Sequence, residues 1–141
     1  METPKCTQNG HMNMDQETKK GLVLYMNKIT YEDFKCVMSY DITKKQDSCI
    51  EIEFCVDNCS IYQESWLGKM IDKDTKKVIY WFGLTEDGSQ AFDFDSFEQF
   101  ENAKIFHSKS IKEIWNSISV LSIDACDVKE RLSFYLGLKN V

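Results

Sequence analysis

The chain has 141 residues, 43% apolar and 13% aromatic, with 23 acidic against 17 basic side chains and a formal net charge of -6. That length suits one domain burying roughly 70% of its unfolded surface, and the apolar content excludes a disordered chain. The charge disfavours nucleic acid as a partner and favours a basic protein, the more so because Arg131 is the sole arginine available for bidentate contacts to phosphates or bases.

No apolar run approaches the ~18 residues that span a bilayer, and the first twenty residues lack the apolar centre of a secretory signal. The expectation is a cytoplasmic protein with no membrane partner. In a reducing compartment Cys6, Cys36, Cys49, Cys55, Cys59 and Cys126 are read as free thiols, most of them core fillers.

Residues 1–18 are polar, hold the single proline, Pro4, and read as a flexible arm before a single globular domain over 19–141. GLVLYMNKI, from residue 21, has the density of a buried strand, and periodicity alone does not separate that strand from a helix over 15–29. FKCVMSYDI (34–42) and CIEIEFCV (49–56) read as strands joined in a hairpin by the polar run TKKQDS. In the second, Ile50, Ile52, Phe54 and Val56 are expected on one face and Glu51, Glu53 and Cys55 on the other. ESWLGKMI, KVIYWFGL and QAFDFD follow as a meander through the turns IDKDTKK and TEDGS.

Helix signals begin where the strands end. Ser96 with Gln99, Ser110 with Glu113 and Asp127 with Glu130 have capping-box spacing and predict three helix starts. The stripes are Phe97, Phe100 and Ala103; Ile111, Ile114, Trp115 and Ile118; and Val128, Leu132, Tyr135 and Leu136. A short strand is expected near 118–123, alternating Val120 and Ser122 against Leu121 and Ile123. The fold class is therefore α+β, an antiparallel sheet of about five strands over residues 34–95 with mostly C-terminal helices on one face.

Motifs for chemistry are lacking. GxSxG, GxxxxGK[ST], GxGxxG and HExxH do not occur, no cofactor is implied, and a non-enzymatic protein is expected. A metal would have to use Cys49, Cys55 and Cys59 with His11 or His107, but there is no CxxC pair, and Cys49 and Cys55 are placed on opposite strand faces. His107, in the connector FHSKS, reads as a solvated loop or helix-terminal residue. Asp72 and Asp74 lack the glycine and glutamate of a calcium loop and read as a turn. Trp66, Trp81 and Trp115 lack a basic groove for stacking bases, so core packing accounts for them better.

The stretch QAFDFDSFEQFENAKIF (90–106) is the most informative. Phe92 and Phe94 are expected to point inward and Asp93 and Asp95 outward, with Glu98 and Glu101 continuing the acidity and Glu86 and Asp87 extending it through the preceding turn. Acids at a helix start also complement its dipole without any partner, so a dipole role and a partner surface both remain open. In the second reading, Tyr62 or Trp66 supplies an aromatic anchor.

GLTEDGSQAFDFDSFEQFENAKIFHSKSIKEIWNSI (83–118) resembles the C-terminal half of small immunity proteins from bacterial toxin–immunity systems, including contact-dependent growth inhibition. The resemblance rests on the acidic and aromatic strand followed by FENAKIF and SIKEIW. It implies an acidic, cytoplasmic α+β protein that binds a cognate toxin domain, in many such systems a nuclease, and blocks its active site or substrate access. A small enzyme with a cysteine-based site and a non-inhibitory adaptor subunit are the alternatives from other classes.

Overall fold

The computed structural model describes residues 27–44 and 49–139. The N-terminal arm, and the segment from residue 15 up to residue 26, lie outside the described residues. Asn27 forms an antiparallel bridge to Val120, with its amide donating to the Val120 carbonyl at 3.2 Å.

Helix α1 spans Tyr31–Met38 and replaces the strand expected over 34–42. The Thr30 hydroxyl accepts from the Asp33 amide at 3.0 Å, and Glu32 and Asp33 sit in the first turn, where the helix dipole favours them. Phe34, Val37 and Met38 are buried, a spacing of three and four residues that one helix face satisfies. A strand would have turned Val37 away from Phe34. With 34–42 helical, the expected hairpin to residues 49–56 does not exist.

Five strands follow: β1 (Cys49–Val56), β2 (Ser65–Ile71), β3 (Val78–Leu84), β4 (Gln90–Phe94) and β5 (Ile118–Ile123). They form one antiparallel sheet in the order β4-β3-β2-β1-β5. The β2–β3–β4 meander matches the sequence reading. Asp72 closes the β2–β3 turn by accepting from the Thr75 amide at 2.8 Å, which holds its carboxyl below the usual range.

The chain then crosses one sheet face to reach the far edge. Helix α2 (Phe97–Asn102) starts at Ser96, whose hydroxyl accepts from the Gln99 amide at 3.1 Å. The Ser110–Glu113 box also forms, with both reciprocal bonds in place, yet no α-helix follows it. Only seven residues separate Ser110 from β5, and they tighten into a 3₁₀ turn at Trp115–Ser117. Trp115 is anchored there by its indole N–H, which donates to the Ile29 carbonyl at 2.8 Å.

Strand β5 pairs with β1 through a bulge: Glu53 faces Ser122 and Phe54 faces Val120. The skipped Leu121 breaks the expected alternation, so Val120 and Ile123 both enter the core. Helix α3 (Val128–Lys139) begins after Asp127, whose carboxylate accepts from the Glu130 amide at 3.2 Å. The fold is thus α+β, a five-stranded antiparallel sheet with three helices.

The helices share one face of the sheet. Phe34, Val37 and Met38 from α1, Phe100 from α2, and Val128 and Tyr135 from α3 join Ile50, Ile52, Phe54, Leu67 and Phe82 in one core. Tyr31 donates to Glu101 at 2.6 Å and Tyr135 to Asp124 at 2.5 Å. Burial first, and then these carboxylates, push both phenols well above the ordinary 10.0. A raised folded pKa means that the protonated phenols stabilise the fold at pH values below about 10 and lose that contribution as pH rises further. In an alkaline titration, tyrosinate absorbance from these two phenols should appear only with unfolding; ionisation in the folded state would contradict it.

Candidate functional site

Strand pairing sorts the side chains onto two faces. Lys69, Leu67, Phe82 and Tyr80 turn towards the helices; Lys69 is buried there and donates to the Met38 and Tyr40 carbonyls at 2.7 Å each. The opposite face reads across the strands in rows. Glu51 pairs with Gly68, Gly68 with Trp81, and Trp81 with Asp93. The next row is Glu53, Trp66, Gly83 and Ala91, and on the other side Cys49, Met70 and Ile79 align.

This face is apolar at its centre and acidic at its margins. Trp66 is 37% and Met70 40% exposed, whereas most large apolar side chains of the domain are buried. Trp81 and Ile79 are half-buried beside them, Glu51 and Asp93 are exposed at opposite margins, and none of the residues in these rows is basic.

Two glycines shape the surface. A Cβ on Gly68 would collide with the Ile50 carbonyl oxygen and stand 3.0 Å from Trp81 Cζ2, and one on Gly83 would stand 3.9 Å from Trp81 Cζ3. The indole therefore lies along bare backbone. Gly68→Ala should cost about 1–3 kcal/mol and shift the Trp81 fluorescence, because the neighbouring backbone must give way. An unchanged unfolding midpoint would contradict this.

The predicted site residues do not form one patch. Asp93 is on the open face, and Asp95, just beyond β4, shares a groove with Asp93, Ile79 and Gln99. Glu98 is exposed on α2, the layer behind the sheet. Glu101 is partly buried and accepts the Tyr31 hydroxyl, so its role is internal. Glu86 and Asp87 lie in the β3–β4 turn, where a second groove adds Glu64 and Ile61. Asp87 accepts from the Ser89 amide and the Thr85 hydroxyl, which hold its carboxyl down at about 2.

Among the aromatics, Tyr62 is 3% exposed and packed edge-on against Phe106, which removes it as an anchor. Trp66 is exposed on the open face. Core packing holds for Trp115 but not for Trp66, and only in part for Trp81. Trp81, Ile79 and Met70 escaped the sequence reading as members of this face, and Glu51, expected on the outward side of its strand, was not joined to the acidic surface. The period-two alternation of KVIYWFGL, aligned with QAFDFD, carried the signal: it puts Trp81 on the face of Asp93.

Among the described residues, Cys36 and Cys55 are buried, Cys59 is half-buried, and Cys49 and Cys126 are exposed, so core filling accounts for fewer than expected. Burial, and next Asp57, push the Cys55 thiol up to about 11, away from nucleophilic reactivity. Cys49 and Cys55 are six residues apart in β1 and have the same strand parity, which corrects the opposite-face expectation; they differ in burial because Cys55 lies where β5 pairs and Cys49 at the strand start. Among the described residues no three His, Cys, Asp or Glu side chains converge as a metal site would require. His107 is exposed in its loop at φ 50°, beside the Tyr62 ring. Among the described residues no helix is long and apolar enough to cross a membrane. Comparison with known proteins finds no matching family model, no matching curated protein and no matching solved structure.

Proposed function

We propose that this protein is an immunity protein, which binds a cognate bacterial toxin domain in the cytoplasm and neutralises it. The supporting observation is the open sheet face, where Trp66, Trp81, Ile79 and Met70 are edged by Glu51 and Asp93. An exposed aromatic centre with a charged margin is the composition of a protein-binding surface. Its charge suits a basic partner, and a nuclease domain is basic because it must meet phosphates. The acidic surface inferred from the sequence is thereby recast: Asp93 stays in it, Glu101 and Tyr62 leave it, and Glu51 and Trp81 enter. A cysteine-based enzyme draws no support from the raised Cys55 thiol.

The test is capture of partners from the source cells on the tagged full chain, followed by expression of each retained protein without it. A retained basic protein that is toxic alone and harmless with this chain is the expected result. Asp93→Lys with Glu51→Lys should slow its association at least about tenfold at low salt, while Glu98→Lys should not. Retention of a partner whose activity is unchanged by binding would replace inhibition with an adaptor role.

A further inference from the structure

The open face has a relief that a general acidic surface does not require. Trp81 lies along Gly68 and Gly83, so its indole rests low on the sheet, and its cross-strand neighbour on β4 is Asp93. Trp66, one row away, stands opposite Glu53 on β1, a half-buried carboxylate that also accepts from the Ser122 hydroxyl at 3.4 Å. In both rows an aromatic ring stands beside a carboxylate.

We propose that these two rows seat two arginine side chains of an extended partner segment, each guanidinium lying on an indole and turned towards the neighbouring carboxylate. The inference rests on the reading of this protein as a binder of a basic protein. Trp66 faces Gly83 and Trp81 faces Gly68, so the two tryptophans are diagonal cross-strand neighbours, which lie roughly 7–8 Å apart. Alternate residues of an extended chain are separated by about 6.6 Å. The match selects an Arg-x-Arg segment, with x facing away.

Arginine is chosen over lysine on chemistry. A guanidinium is planar and weakly hydrated, so it stacks on a ring and still presents its edge to a carboxylate, whereas an ammonium keeps its water and offers no plane. A wholly apolar partner would leave Asp93 and Glu51 desolvated without a counter-charge, and phosphate backbones would be repelled by them. A basic extended segment therefore fits this face better than an apolar helix or nucleic acid.

The test uses the full chain and two synthetic octapeptides, alternating Arg-Thr and alternating Lys-Thr, titrated by tryptophan fluorescence and calorimetry. The arginine peptide should bind about tenfold or more tightly than the lysine peptide. Trp66→Ala, at an exposed position, and Trp81→Phe, which keeps a ring, should each weaken it several-fold. Asp93→Lys should reduce the preference, the Trp66–Glu53 seat remaining, and Glu98→Lys should leave it intact. Equal affinities for the two peptides would overturn the stacking assignment, and binding of neither would overturn the seat altogether. A Trp66→Ala, Trp81→Phe double variant that still neutralises the toxin at unchanged affinity would sink this inference and leave the proposed function standing. A chain for which no toxic partner exists would remove the proposed function instead.

Discussion

Replacing Asp124 by alanine is expected to lower the unfolding free energy by about 3–4 kcal/mol, one of the two largest losses a single change should produce in this domain. Asp124 follows β5 in a turn with φ 54°. Its carboxylate accepts from Arg131 Nε at 2.8 Å, from the Tyr135 hydroxyl at 2.5 Å and from the Glu51 amide at 2.9 Å, and its own amide donates to the Glu51 carbonyl at 2.7 Å. One side chain thus ties α3 to β1 and to the end of β5. Removing it strands a guanidinium that is only 28% exposed, packed on the Phe134 ring at 4.3 Å. That residual exposure keeps the loss below the ~5 kcal/mol upper end for a fully buried pair. Asparagine tolerates the positive φ, so Asp124→Asn separates charge from backbone and should lose about half as much. Urea denaturation of the three proteins reads both values; a loss under about 1 kcal/mol for alanine would show that the cluster is solvated.

The second large effect is Phe100→Ala, expected to cost about 3–5 kcal/mol. Helix α2 has six residues, too few to be stable alone, and Phe100 is its one fully buried side chain. Its ring stacks on Phe82 at 4.1 Å with 1° between the planes, and Phe34, Tyr80, Phe94 and Phe97 surround it within 6.5 Å. Alanine would leave a cavity between helix and sheet that these rings, each held by its own neighbours, fill incompletely. Glu98→Lys, exposed on the same helix, should stay within about 0.5 kcal/mol of the parent. Similar losses for the two variants would mean that α2 is destabilised by charge or helix propensity and not by loss of the ring.

Much of this architecture was legible because its causes are local. The alternation of Ile50, Ile52 and Phe54 against Glu51 and Glu53 needs only the period of a strand, and β1 follows it. The meander from β2 to β4 needs only short turns, and Asp72 and Asp87 build those turns from their own side chains. The caps at Ser96 and Asp127 act within three residues, and both helices start where they point.

What lay beyond local reach was decided by the tertiary structure. FKCVMSYDI is apolar enough for either period, and the sheet decided in favour of helix by offering α1 a face to bury Phe34, Val37 and Met38. The Ser110 box is intact, but the chain had to reach the far edge beside β1 and had no length for a helix. The surface followed the same rule: sequence alternation determined that Asp93 points outward, while the pairing of β1, β2, β3 and β4 set Glu51, Gly68, Trp81 and Asp93 in one row across 42 residues of chain. Propensity and capping act over one turn or one strand, whereas strand order and ring burial depend on contacts between residues far apart, and only the folded chain specifies those.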